Sequence, residues 1–219
     1  MKVKKRNWFS SAIIPIIIIN IAVFIIQMMT QGTAFDFTSL FALKQGDLFS
    51  APYTLITSMF MHAGVFHIFI NMFILFMFGS ILEQRIGTKR FLMLYFASGI
   101  LAGIVANFIY PAAIGASGAV MGIVGAVIYL MPNMMVLLFF FLPMPLWVAG
   151  ILIALIELFG AFGTLGGQVA NVSHLIGMVT GLGYGYYLSN QKKKFHRKFQ
   201  RSSHLSDDEI EEYLKNGRI

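Results

Sequence analysis

A serine set between glycines and a distant histidine are the residues of this chain best suited to do chemistry together. Ser117 lies in residues 115–122, "GASGAVMG", and His174 lies in "SHLIGMVTG". A serine hydroxyl is a weak nucleophile until an adjacent base takes its proton, and histidine is a suitable base. The two residues therefore predict acyl transfer, with Ser117 as the nucleophile and His174 as the base.

Acyl transfer also needs hydrogen-bond donors for the oxyanion of the tetrahedral intermediate. His67 and Asn71 are four residues apart, so they share one helix face. Their side chains, and the backbone amide of Ser117 at the positive end of a helix, can supply these donors. Glycines beside the serine leave room for a substrate backbone. We expect no carboxylate beside Ser117 and His174 to complete a Ser-His-Asp triad, and we therefore predict a Ser-His dyad.

Each of these residues also has a purely structural interpretation. For Ser117 and His174 it is close helix packing, because glycines follow both at helical spacing. For His67 and Asn71 it is a hydrogen bond between helices. For His62 we prefer a loop contact at the membrane surface to a catalytic role. Three separate segments carry Ser117, His174 and the pair His67 and Asn71, and they converge at one level of the protein. This convergence favours a catalytic role for these four residues.

The elements that position these residues are membrane helices. Of the 219 residues, 58% are hydrophobic and 11% are charged, which is far more apolar than a soluble domain. Apolar runs of about 20 residues are long enough to cross a ~30 Å hydrocarbon core. The absence of cysteine excludes disulfides and thiolate chemistry.

We predict an all-α polytopic membrane protein, a bundle of six transmembrane helices with both termini cytoplasmic. The predicted helices are 8–29, 62–82, 91–110, 117–131, 146–163 and 169–188. The apolar segment 134–142 is interpreted as re-entrant or interfacial. A seventh crossing there would place the two basic termini on opposite sides, against the positive-inside rule.

Counting inward from the helix ends places the polar residues at a common depth. At ~1.5 Å per residue, Ser117 lies ~8 Å and His67 and His174 lie ~7 Å inside the outer boundary of the core. Non-helical backbone before Ser117 is tolerated there only where protein or a water-filled cavity meets it. We therefore expect a cavity that opens outward in front of Ser117.

Charge divides the chain into three parts. We predict a basic cytoplasmic N-terminus at 1–7, the membrane domain at 8–190, and a polybasic cytoplasmic tail at 191–219. The tail carries a capping-box pattern, Ser206 to Glu209, that predicts a short amphipathic helix. The net charge of +7 is concentrated at the two ends, so it favours anionic lipid rather than nucleic acid as a partner.

Four motifs in order, "HAGVFHIFIN", "EQR", "GASG" and "SHLIGMVTG", resemble the rhomboid family of intramembrane serine proteases over roughly 8–190. The resemblance implies Ser117 as nucleophile, His174 as base, and His67 and Asn71 in the oxyanion hole. It also implies transmembrane protein substrates cut near their outer ends, lateral entry between the second and fifth helices, and no cofactor or metal. Tyr53 and Thr54 stand where many members carry Trp-Arg, and Ser173 stands in place of the usual alanine.

Three other functions remain as alternatives to the protease. A catalytically inactive rhomboid-like scaffold would bind membrane clients without cutting them. Glu157, an acid in the fifth helix, suggests a proton-coupled transporter. Its structural interpretation is an acid that faces the bundle and forms a hydrogen bond with a neighbour. A zinc protease is the third alternative, but the sequence lacks the HExxH motif of such enzymes. We expect a multi-pass integral protein of the bacterial plasma (inner) membrane.

Overall fold

The structure is a computed structural model that describes residues 11–138, 141–163 and 170–200. Helices predominate, and two short antiparallel strand pairs accompany them. The elements in chain order are α1 (Ile13–Thr30), α2 (Phe37–Phe41), β1 (Leu43–Lys44), α3 (Asp47–Ser50), α4 (Thr54–Thr57), a 3₁₀ turn (Ser58–Phe60), α5 (Val65–Ile74), a π-helical turn (Leu75–Gly79), α6 (Ser80–Ile86), α7 (Thr88–Ile109), β2 (Ala112–Ala113), α8 (Ser117–Leu130), β3 (Met135–Leu138), β4 (Leu142–Pro145), α9 (Leu146–Ala161) and α10 (Asn171–Gln200).

Two of the predicted helices extend further than expected. The second runs without interruption through α5, the π-helical turn and α6 to Ile86, rather than ending at 82. The sixth, α10, continues to Gln200 instead of ending at 188. The basic segment after 188 contains no proline or glycine and is rich in lysine, a good helix former, so nothing in it ends the helix. The predicted tail helix near Ser206 lies outside the described residues.

Within the described residues, three helices are long and apolar enough to cross a membrane by length and composition: Ile13–Thr30, Val65–Ile86 and Thr88–Ile109. The helices α8 and α9 are apolar but shorter. Large apolar side chains such as Ile18, Phe69, Phe108 and Ile151 are exposed on the outer faces of the bundle. Such a surface suits lipid rather than water, and the chain is an integral membrane protein.

The apolar segment before α9 forms a hairpin rather than a crossing helix. Strand β3 pairs antiparallel with β4, with Met135 opposite Pro145. Prolines in β4 cannot continue a helix because they lack a backbone N–H. The backbone N–H of Leu146 donates to the carbonyl of Met134 at 2.8 Å, which joins the hairpin to the start of α9.

The closest helix packing in the bundle joins α8 to α10 through glycines. A β-carbon at Gly177 would collide with the carbonyl oxygen of Gly118, and one at Gly181 with the carbonyl oxygen of Gly122. On the other side, a β-carbon at Gly122 would collide with Ser98 of α7. Small residues let the helix backbones touch, so the glycine spacing sets the distance between α8 and its neighbours.

A buried carboxylate holds the other end of the bundle together. Glu83 of α6 accepts hydrogen bonds from Ser11 Oγ at 2.6 Å, from the Ala12 backbone N–H at 2.8 Å and from Thr88 Oγ1 at 2.9 Å. These bonds tie the start of α1 and the start of α7 to α6. They give the "EQR" motif a structural role.

Candidate active site

Ser117 and His174 meet, although 57 residues separate them in sequence. Ser117 is the first residue of α8, and His174 lies in the first turn of α10. The distance from Ser117 Oγ to His174 Nε2 is 2.7 Å, a hydrogen bond. The structure therefore brings together the two residues that the sequence predicts as nucleophile and base.

Two features of the fold position this pair. The glycine contacts between α8 and α10 hold the two helix backbones together directly below it. In addition, the Tyr110 hydroxyl at the end of α7 accepts a hydrogen bond from the Val172 backbone N–H at 3.0 Å. An amide in the first turn of a helix has no partner within the helix, so Tyr110 fixes the start of α10 beside α7.

The prediction that no carboxylate lies beside Ser117 and His174 is wrong. Glu157 of α9 places Oε1 3.0 Å from His174 Nδ1, and its Oε2 accepts a hydrogen bond from Asn171 Nδ2 at 2.8 Å. A β-carbon at Gly160 would collide with the Asn171 side chain, so this glycine makes room for the amide. The arrangement is Ser-His-Glu rather than the predicted dyad.

The sequence did contain a signal for this contact. Glu157 lies near the end of α9 and His174 near the start of α10, and successive antiparallel helices place such positions at one level. Counting residues inward from the predicted ends gives both side chains nearly the same depth. Asn171 and Gly160, which complete the arrangement, carried no comparable signal.

His67 lies beside the nucleophile, as predicted, and its tautomer follows from its contacts. The Ala63 backbone N–H donates to His67 Nδ1 at 3.3 Å. In a neutral imidazole the other nitrogen then carries the hydrogen, so Nε2 is a donor. A β-carbon at Gly115 would lie 3.1 Å from that nitrogen and 3.4 Å from Ser117 Oγ. The donor thus faces the space next to the serine hydroxyl.

Gly115 is required by its own backbone as well as by this approach. Its φ of 135° lies in the region that side chains rarely adopt. Its backbone N–H donates to the carbonyl of Ser58 at 2.9 Å, which ties the segment before α8 to the 3₁₀ turn. The strand pair β1–β2, with Leu43 opposite Ala113, fixes the same segment from the other side.

Asn71 is buried one turn beyond His67 and forms a hydrogen bond within its own helix. Its Nδ2 donates to the His67 carbonyl oxygen at 2.9 Å. A carboxamide nitrogen carries two hydrogens, so this bond leaves one for another acceptor. The predicted donation toward the oxyanion is a role that the observed hydrogen bond leaves open.

His62 is buried in a loop contact, and its ring meets the His67 ring edge to face with centroids 5.0 Å apart. Its backbone N–H donates to Gln27 Oε1 at 2.9 Å, and Gln27 Nε2 donates to its carbonyl at 3.4 Å. Within the described part of the chain, neither ring nitrogen has a hydrogen-bond partner. Burial, and then the nearby His67, lower the pKa of His62 to about 4. Sequence reasoning missed Gln27, which ties α1 to this loop.

A cavity adjoins Ser117 on the side of α7. Its walls include Ser58, Gly99, Ala102, Gly118 and Ser173, and most of these side chains are small or absent. The Ser173 hydroxyl is buried and has no hydrogen-bond partner within the described residues. The position that departs from the family pattern therefore lies in the wall of the cavity next to the nucleophile.

Tyr53 and Thr54 each form a hydrogen bond within the segment before α5, with Thr54 buried and Tyr53 half exposed. Thr54 Oγ1 donates to the Ala51 carbonyl at 2.7 Å, and the Tyr53 hydroxyl donates to the Leu40 carbonyl at 3.3 Å. The Tyr53 ring also meets Phe41 edge to face, with centroids 6.2 Å apart. Across residues 11–138, 141–163 and 170–200, no cluster of three or more His, Asp or Glu is arranged to hold a metal ion.

Comparison with known proteins identifies the family that this chain resembles over most of its length. The family model described as Rhomboid domain matches residues 50–191. "Rhomboid protein 1, mitochondrial" of Saccharomyces cerevisiae is 32% identical over 187 residues, which is 80% of this chain. "Rhomboid protease GluP" of Bacillus subtilis is 33% identical over 111 residues, which is 48% of this chain. "RHOMBOID-like protein 6, mitochondrial" of Arabidopsis thaliana is 34% identical over 152 residues, which is 68% of this chain.

These relatives are longer proteins. The matched regions cover 53% of the yeast protein, 48% of the Arabidopsis protein and 22% of the Bacillus protein. The chain thus spans about half or less of the length of the curated relatives that it matches.

Proposed function

Because the chain belongs to the rhomboid family, we propose that it is an intramembrane serine endopeptidase. It hydrolyses peptide bonds near the outer ends of transmembrane protein substrates. The observation that carries the proposal is the 2.7 Å hydrogen bond between Ser117 Oγ and His174 Nε2. Nucleophile and base within hydrogen-bond reach are what activates a serine.

The reaction proceeds in two halves. His174 Nε2 takes the hydroxyl proton while Ser117 Oγ attacks the substrate carbonyl, and the protonated imidazole then gives that proton to the leaving amine. Water attacks the resulting ester in the same manner and releases the second product. The oxyanion that forms in each half accepts hydrogen bonds from His67 Nε2–H, the Ser117 backbone amide and Asn71.

Six membrane crossings with both termini cytoplasmic remain the proposed topology. Two distances along the helices support this topology. Both indicate that the basic residues lie far from Ser117, at the opposite end of the bundle. Along α10, Lys192 is ~27 Å from His174 at ~1.5 Å per residue, and along α5 and α6, Glu83 is ~24 Å from His67. Glu83 in turn holds Ser11, where the described chain begins after its basic N-terminal segment. The positive-inside rule then places Ser117 near the outer face.

The proposed partners follow from this topology. A transmembrane protein enters laterally between α5 and α9 and reaches Ser117, while the basic ends contact anionic lipid. The expected bacterial plasma membrane draws no support from the relatives, two of which are named mitochondrial.

Labelling and cleavage test the proposal together. A serine-directed fluorophosphonate should label detergent-purified wild type, and a labelled transmembrane peptide should be cleaved. Ser117→Ala and His174→Ala should abolish both, whereas Ser98→Ala, which removes a buried hydroxyl bonded to its own helix, should retain both. Metal chelators should leave cleavage unchanged. A folded wild type that neither labels nor cleaves would favour the inactive scaffold, and zinc-restored activity would favour a metal protease.

A further inference from the structure

We propose that Glu157 is a positioning residue for His174 and that Asn171 holds its carboxylate in place, an inference that rests on the proposed protease function. The residues form a continuous line of contacts. Ser117 Oγ is 2.7 Å from His174 Nε2, His174 Nδ1 is 3.0 Å from Glu157 Oε1, and Glu157 Oε2 is 2.8 Å from Asn171 Nδ2.

The first consequence of this line concerns the tautomer of His174. A carboxylate only accepts hydrogen bonds, so His174 Nδ1 must carry a hydrogen to bond Glu157. In the neutral ring Nε2 is then the acceptor, and this nitrogen faces the Ser117 hydroxyl. Glu157 thus selects the one neutral tautomer that can take the serine proton.

The second consequence concerns charge. When Ser117 Oγ bonds to the substrate carbonyl carbon, its proton moves to Nε2 and His174 becomes an imidazolium ion. The Nδ1 hydrogen stays on the ring, 3.0 Å from Glu157 Oε1. Both side chains are only 14% exposed, so water screens their attraction less than it would at the surface. The proton later leaves from Nε2 to the amine, and the carboxylate is unchanged.

The third observation concerns the geometry that holds the carboxylate. Asn171 is buried and lies at the start of α10, one turn before His174. His174 therefore contacts Oε1 of Glu157, and Asn171 donates to Oε2 of the same side chain. Gly160, on the turn after Glu157, admits the amide because any side chain there would collide with it. His174, Glu157 and Asn171 therefore lie on two adjacent helices, α9 and α10.

A competing explanation is that Glu157 only fastens α9 to α10. The two explanations differ in what an amide does at this position. Glu157→Gln keeps the size and can keep hydrogen bonds to both neighbours. However, it removes the charge, and it can pair with Asn171 in either orientation. In one orientation its NH₂ group faces Nδ1 and holds the ring hydrogen on Nε2, which is the wrong tautomer.

A second substitution selects the correct orientation. In Glu157→Gln with Asn171→Asp, the new carboxylate at 171 accepts from the glutamine NH₂, so the glutamine oxygen must face His174 Nδ1–H. This double variant restores the tautomer and returns a negative charge to the site. A simple fastening role gives no reason for the double variant to be more active than the single one.

The experiment measures kcat, KM and melting temperature on the full chain in detergent, with fluorophosphonate labelling of Ser117. We expect Glu157→Gln to lower kcat by about 10², the lower end of the range for a general base because one glutamine orientation keeps the correct tautomer, with little change in KM. The double variant should recover at least about tenfold. Glu83→Gln is the matched control, because it alters a buried carboxylate that accepts from Ser11, Ala12 and Thr88 at the far end of the bundle. It should lower the melting temperature and leave kcat unchanged.

The outcomes separate this inference from the proposed function. A folded wild type without cleavage or labelling refutes the protease itself. An active wild type with Glu157→Gln within about threefold of its kcat overturns the role of Glu157 and leaves the protease standing. So does a double variant no more active than the single one. If Glu157→Gln does not fold, Asn171→Ala decides, since it leaves Glu157 and His174 intact: a lower kcat with an unchanged KM supports the proposal, and an unchanged kcat overturns it.

Discussion

The Cα atom of Gly115 faces the His67 imidazole so closely that a β-carbon at this position would lie 2.9 Å from Cε1. Real β-carbons do not approach neighbouring atoms to that distance, so one of the two groups would have to move. The Gly115 backbone N–H is bonded to the Ser58 carbonyl at 2.9 Å, so this backbone cannot readily move to relieve the contact. Its φ of 135° would also be strained in a residue with a side chain. The glycine and the histidine therefore define one wall of the site together.

Gly115→Ala should displace His67 and strain the backbone. We expect a loss of about 10² or more in kcat, the cost of one oxyanion donor, and a loss of about 1–3 kcal/mol in the free energy of unfolding. The control is Gly64→Ala, three residues before His67, because Gly64 is extended and has no atom within 4 Å of its β-carbon position. Equal activity of the two variants would contradict the importance of this contact.

Gly177→Ala should separate α8 from α10. Its methyl group would collide with the Gly118 carbonyl, a backbone atom that cannot rotate away. The 2.7 Å bond between Ser117 and His174 should lengthen, so labelling by fluorophosphonate should fall at least tenfold, with about 1–3 kcal/mol lost in stability. Gly183→Ala lies on the same helix facing open space and should match wild type. Normal labelling of Gly177→Ala would show that the helices can adjust.

Asn71→Ala should lower kcat by about 10², the lower end of the range for an oxyanion donor, and leave KM largely unchanged. The Ser117 amide and His67 remain, which limits the loss. Asn20→Ala is the matched control, since Asn20 is also buried and donates to the carbonyl one turn back, at 2.8 Å in α1. It should cost stability alone. If Asn71→Ala loses only stability as well, Asn71 is a structural residue.

The stability of the protein should fall in mild acid because of His62. In the folded chain its pKa is about 4, below the ordinary value of 6.5. Between these values the unfolded chain takes up a proton that the folded chain excludes, so stability decreases as pH falls from 6.5 to about 4. His62→Phe should flatten this part of the curve in thermal unfolding measured across pH. An unchanged slope would assign the acid sensitivity to other groups.

Substrates with a weakened helix near their outer end should be cut faster. Ser117 is recessed, and the carbonyls of an intact membrane helix are already bonded within that helix. Glycine near the scissile bond, or proline a few residues away, should raise the cleavage rate of a transmembrane peptide, and leucine at those positions should lower it. Identical rates across such a series would argue against local unwinding.

The class of protein and most of its elements follow from local features of the sequence. The apolar runs predicted the helices, because crossing lipid depends on the length and composition of a local segment. The glycines that follow Ser117 and His174 predicted contact between α8 and α10, since small residues at helical spacing favour close packing. Ser117, His174, His67 and Asn71 could be predicted from sequence because each lies in a recognisable motif within a single segment.

Which polar side chains face one another depends on the packing of the whole bundle. Glu157 and His174 could be assigned the same depth from sequence, yet their contact was not predicted, and neither was that of Gln27 with His62. Counting residues gives the height of a side chain in a bundle. The direction that the side chain faces depends on how each helix is rotated about its own axis, and the packing of all neighbouring helices together sets that rotation.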